Sequence, residues 1–111
     1  MKYKIEKNAV QETLIIPLYA RKVCSELYPN LYRDETAVRL IDEIDYDFSE
    51  AEKNSRGLMQ RFGSLEVAMR QNDPAFEVRD YLKSHSNAAV VNLGCGLDST
   101  GRSCDNGSCK I

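Results

Sequence analysis

The residues best placed to do chemistry in this chain are Asn92-Leu93-Gly94-Cys95-Gly96-Leu97-Asp98. Two glycines one residue apart remove side chains from a turn, so a ligand can come close to the backbone. The turn follows an apolar run, Ala88 to Val91 and Leu93, which reads as a short strand buried on both faces, as parallel strands are. A strand that breaks into glycines can present backbone N–H groups to a nucleotide-like ligand at its carboxyl end. A P-loop is excluded, because no Lys followed by Ser or Thr stands after the second glycine. The dinucleotide pattern G-x-G-x-x-G is met by Gly94 and Gly96 but has Ser99 in its third place. Asp98 is expected to fix the turn or cap the segment after it, rather than to touch substrate.

Other reactive side chains carry weaker patterns. Cys24, Cys95, Cys104 and Cys109 include no C-x-x-C pair, so they read as unpaired thiols in a core and a loop, not as a zinc site. His85 is the sole histidine and sits in a polar turn at the amino end of the strand, away from a site at the carboxyl end. Asp42, Glu43, Asp45 and Asp47 form an acidic run, but half of it is helical in pattern, whereas hard cations need ligands converging from a tight loop. It reads as a solvated face plus a turn. Arg21 reads as a solvated helix residue.

Helices must supply the scaffold. Val10 to Tyr28 fits one helix with Ile16, Ala20, Val23 and Leu27 on its buried face, and Pro17 should start or kink it. Asp34 is a credible N-cap for a second helix that buries Ala37, Leu40, Ile41 and Ile44. Ser49 can cap a third, running to about Phe62 with Leu58, Met59 and Phe62 inside and Gly63 as its stop. A fourth carries Leu65, Ala68 and Met69. Asp73-Pro74 then signals a restart, with Ala75, Val78 and Leu82 on one face. Met1 to Asn8 should fray. Gly101 to Cys109 is a polar loop, and Lys110-Ile111 could begin a second strand.

With 111 residues, 42% of them hydrophobic and 29% charged, the composition is that of one small soluble domain. A net charge of -2 argues against a nucleic-acid surface, which needs clustered cations. No apolar run approaches the length of a membrane span and no signal segment opens the chain, so the expected location is cytoplasmic.

The string Val90-Val91-Asn92-Leu93-Gly94-Cys95-Gly96-Leu97-Asp98-Ser99-Thr100 closely resembles the first motif of the leucine carboxyl methyltransferase family. Within that family it is most similar to the branch of polyketide-biosynthesis O-methyltransferases. Gln11 to Arg21 resembles the opening of the family's helical cap, and Ile44-Asp45-Tyr46-Asp47-Phe48 its inter-helix connection. The resemblance implies an α/β fold: an N-terminal helical cap, residues 1–73, then the first strand and glycine turn of a Rossmann-like sheet, residues 74–111. This stretch itself would be mostly helical and the N-terminal part of a longer enzyme.

The implied activity is transfer of a methyl group from S-adenosylmethionine to an oxygen of a small polyketide-like or carboxylate acceptor. Arg70 matches the family's arginine that reaches the cofactor's carboxylate. Asn92, Gly94, Cys95, Gly96 and Asp98 would complete the cofactor-binding set, and no residue of the chain is nominated as catalytic. A helix break at Gln71-Asn72-Asp73-Pro74 departs from the family pattern and bears on where Arg70 points. Two other readings remain: a non-catalytic helical interaction module that retains the cap and has lost the catalytic half, and a nicotinamide-dependent oxidoreductase using the same Gly94-x-Gly96 turn, against which Ser99 speaks. An exposed central strand would also favour homo-oligomers.

Overall fold

Helix dominates, as the periodicities imply. The computed structural model describes residues 1–111. In chain order they form β1 (Tyr3–Lys4), α1 (Glu12–Leu27), α2 (Glu35–Glu43), β2 (Ile44–Asp45), α3 (Ser49–Ser55), α4 (Leu58–Ser84) and α5 (Thr100–Cys104). Two units, Met1–Ala68 and Met69–Ile111, each cohere internally, and α4 contributes to both.

In the first unit α1 packs chiefly on α2, around Leu18 and Cys24, which are fully buried. Part of the N-terminal segment expected to fray is paired. Tyr3 and Lys4 pair in parallel with Ile44 and Asp45, making a two-stranded sheet, so the residue expected to close the second helix, Ile44, is instead a strand residue.

The buried face of α1 differs from the expected one. Ile15, Leu18, Arg21, Val23, Cys24 and Ser25 are buried, whereas Ile16 is 73% exposed. The expected stripe avoids Arg21 because an unpaired charge cannot enter a core. Arg21 is nevertheless only 4% exposed, because Asp34 meets it: Arg21 Nη1 lies 3.2 Å from Asp34 Oδ2. Asp34 also caps α2 as expected, its Oδ1 accepting from Ala37 N–H at 2.9 Å. Tyr32 donates its hydroxyl to Asp34 Oδ2 at 3.2 Å, and burial, reinforced by the Asp34 charge, pushes the Tyr32 phenol far above its ordinary range. Ser25 Oγ donates to the Arg21 carbonyl and accepts from Asp34 N–H, tying the end of α1 to the start of α2. Pro17 lies inside α1; the turn before it is tightened by i→i−3 bonds from Thr13 and Leu14 N–H.

The third and fourth helices are partitioned differently from expectation. The side-chain bond at the start of α3 comes from Asp47, not Ser49. The Asp47 carboxylate accepts from Ser49 N–H, and the bonds from Ser49 hold that carboxyl below its usual range. The helix ends at Ser55, and Gly57 N–H closes a tight turn on the Asn54 carbonyl. That turn reorients the start of α4, leaving Leu58, Met59 and Phe62 exposed instead of buried.

Nor does Gly63 stop the chain, because its backbone is not left-handed and so cannot form a glycine C-cap. Pro74 does not restart a helix either, since α4 runs through it. A proline ring deprives the carbonyl four residues back, Arg70's, of its helical donor, but its own φ suits a helix, so the turns after it continue. Ala75 and Leu82 are buried and Val78 half-buried, as the spacing requires.

Candidate functional site

The second unit carries the glycine turn. Its approach is extended but not the doubly buried strand that the apolar run suggests. Ala89 forms a single parallel bridge with Lys110; Val90 N–H donates to the Lys110 carbonyl at 2.6 Å, and Lys110 N–H donates to the Ala88 carbonyl at 3.1 Å. Val91 and Leu93 are exposed. A central strand is buried only when strands flank both its edges and helices cover both faces, and among these residues Lys110 alone pairs with it. The parallel return at Lys110 does agree with a second strand opening there.

Gly94 and Gly96 both adopt left-handed backbone, with φ of 63° and 52°. Glycine occupies that region at little cost, whereas a side chain is strained in it. At Gly94 an added Cβ would meet no atom within 4 Å, so the backbone there faces open space. Substituting Gly94→Ala should therefore cost about 1–2 kcal/mol through backbone strain alone. Urea unfolding would show it, and an unchanged midpoint would contradict the strain.

Asp98 closes the turn. Its Oδ2 accepts from Asn92 Nδ2 at 3.1 Å, and its own N–H donates to the Cys95 carbonyl at 2.8 Å. Its Oδ1 accepts from both the N–H and the hydroxyl of Thr100, the first residue of α5, at 2.6 Å. Asn92 and Asp98 thus hold the two ends of the loop, with Gly94, Cys95 and Gly96 between them. Cys95 is an exposed thiol; Cys104 is buried and donates to the Ala75 carbonyl at 3.5 Å. No group of three His, Cys, Asp or Glu side chains converges where it could hold a metal ion.

Arg70 is exposed on α4. The residue after it, Gln71, donates its side-chain amide to Ser99 Oγ at 2.8 Å, so this turn of α4 is tied to the residue that follows Asp98. Sequence reasoning missed Gln71, since a glutamine on a helix carries no local signal. Thr100 was legible in principle, because Asp-x-Thr is a common side-chain turn. His85 stacks on Tyr81 with ring centroids 4.1 Å apart, and both are exposed, which suits a solvated role.

A helical N-terminal unit and a glycine turn open to a ligand are joined by a similarity to a known protein, which supports a methyltransferase-like relationship at the level of a family. The chain is 34% identical over 98 residues to the tetracenomycin polyketide synthesis O-methyltransferase TcmP of Streptomyces glaucescens. The match covers 86% of the chain and only 33% of that relative, so the chain spans about a third of the relative's length. No protein-family model and no solved structure matches the chain. No helix is long and apolar enough to cross a membrane.

Proposed function

We propose that the chain is the N-terminal part of an S-adenosylmethionine-dependent O-methyltransferase that acts on a small-molecule acceptor of polyketide-like or carboxylate type. The observation that carries this reading is the glycine turn, closed by the Asn92–Asp98 hydrogen bond, in a chain similar over 86% of its length to a polyketide O-methyltransferase. The donor set fits the cofactor. Gly94 opens the backbone to a ligand, and the exposed guanidinium of Arg70 can pair bidentately with the carboxylate of an amino-acid moiety. When bound, the cofactor supplies a methyl group already activated by a sulfonium.

The residues of this chain therefore only bind and orient, in a reaction governed by proximity and alignment. Asn92 and Asp98 keep the loop in shape, Gly94, Cys95 and Gly96 offer backbone, and Arg70 anchors the far end of the ligand. Four unpaired cysteines suit a reducing, cytoplasmic location. On its own the 111-residue chain is expected to be inactive, since it supplies one turn of the cofactor site.

In the whole protein, Arg70→Ala should weaken S-adenosylmethionine binding by about ten- to a hundred-fold, the value of a lost charge-assisted hydrogen bond of roughly 1.5–3 kcal/mol. Titration calorimetry measures this directly. Unchanged affinity would remove Arg70 from the site, and absence of any binding by the whole protein would overturn the function.

A further inference from the structure

The first unit holds a cavity of about 530 Å³, within the roughly 300–1,000 Å³ of small-molecule sites. Ile15, Ile16, Ala20, Val23 and Ala51 supply apolar wall, and the cavity opens to solvent along Ile16. Its lining includes one carboxylic acid, Glu12, and no Lys, Arg or His. Glu12 does not swing freely. Its Oε1 accepts from the Tyr46 hydroxyl and its Oε2 from Asn8 N–H, both at 2.6 Å. The Tyr46 bond first, then Asn8 and the more distant charge of Lys7, hold the Glu12 carboxyl below its usual range, so it is an anion at neutral pH.

The aromatic walls are braced as well. Tyr19 stacks on Phe48 at 5.3 Å between centroids, and Tyr46 meets the same ring edge-on at 5.2 Å. Each carboxylate oxygen has a second lone-pair direction still able to accept.

We propose that this cavity binds a small organic cation, an apolar body of one or two rings whose protonated amine pairs with Glu12. The site is independent of the glycine turn and of the methyltransferase reading. A neutral apolar guest would strip water from the Glu12 carboxylate without replacing its charge partner, and an anionic guest would add repulsion; an ammonium group supplies both charge and donors. The walls account for the apolar body, and the fixed acid for the cationic head.

Binding of 2-naphthylmethylamine, 2-naphthylmethanol and 2-naphthoic acid to the 111-residue chain, followed by naphthyl fluorescence and calorimetry, tests this. The amine should bind at least about tenfold more tightly than the alcohol, and the acid least of all. Glu12→Gln should abolish the preference for amine over alcohol. Ala20→Phe, which fills the cavity from α1, should abolish binding of all three. Ala51→Phe does the same from α3, and serves if the first variant fails to fold by circular dichroism. Equal binding of amine and acid, an amine preference that survives Glu12→Gln, or binding unaffected by the filling substitution would each overturn the proposal, as would no binding of the amine to the folded chain.

Discussion

Replacing Asp34 by Ala should destabilise the first unit by about 3–5 kcal/mol, the usual cost of removing one partner from a buried ion pair. Three losses coincide there. The Arg21 guanidinium, 4% exposed, would be left without the carboxylate that faces it at 3.2 Å. The cap on Ala37 N–H would go, itself worth about 1 kcal/mol. Tyr32's buried hydroxyl would lose its acceptor. These terms share one carboxylate, so they do not simply add.

Asp34→Asn separates them, because an amide oxygen can still cap α2 while the charge is gone; its loss should be smaller than that of Asp34→Ala. Against total stabilities of about 5–15 kcal/mol for small domains, the alanine variant should be largely unfolded under mild denaturant. Urea titration by far-ultraviolet circular dichroism measures both variants. A loss below about 1 kcal/mol for Asp34→Ala would mean that the pair contributes no more than a surface contact.

The second expected result concerns the strand before the glycine turn. The 111-residue chain should self-associate, and Val91→Lys combined with Leu93→Lys should shift it from predominantly associated to predominantly monomeric. Val90 N–H and the Ala88 carbonyl are paired with Lys110. Residues alternate in direction along an extended segment, so the N–H and C=O groups of Ala89 and Val91 face the other way, and neither residue has a backbone partner. Val91 and Leu93 are 77% and 88% exposed beside that open edge. An apolar strand edge with free donors and acceptors templates pairing with another chain, and lysine on the edge opposes it.

Sedimentation velocity on the two chains decides. A monomeric wild-type chain at high concentration would sink the expectation.

Local chemistry made part of this molecule legible in its sequence. The Asp34 cap needs only an acceptor three residues before an N–H, and Ala37 stands where that geometry requires. Gly94 and Gly96 are glycines because the turn is left-handed at both places, and Asp98 next to Ser99-Thr100 announces the side-chain turn that starts α5. The predominance of helix between residues 12 and 84 also follows from short-range periodicity, although the boundaries of α3 and α4 do not. The resemblance to a methyltransferase motif was readable too, because its residues, Val90 to Thr100, form a contiguous string.

Other features depended on partners far along the chain. Arg21 is buried because Asp34, thirteen residues later, neutralises it, and that pairing turned the buried face of α1 away from Ile16. Tyr3 and Lys4 are ordered because β2 offers them a parallel edge forty-one residues on. Glu12 becomes a fixed acid in a cavity only when Tyr46 reaches it. The run Ala88 to Leu93 is apolar enough for a core, yet it stays exposed at Val91 and Leu93, because burial belongs to the neighbours of a strand and not to the strand itself.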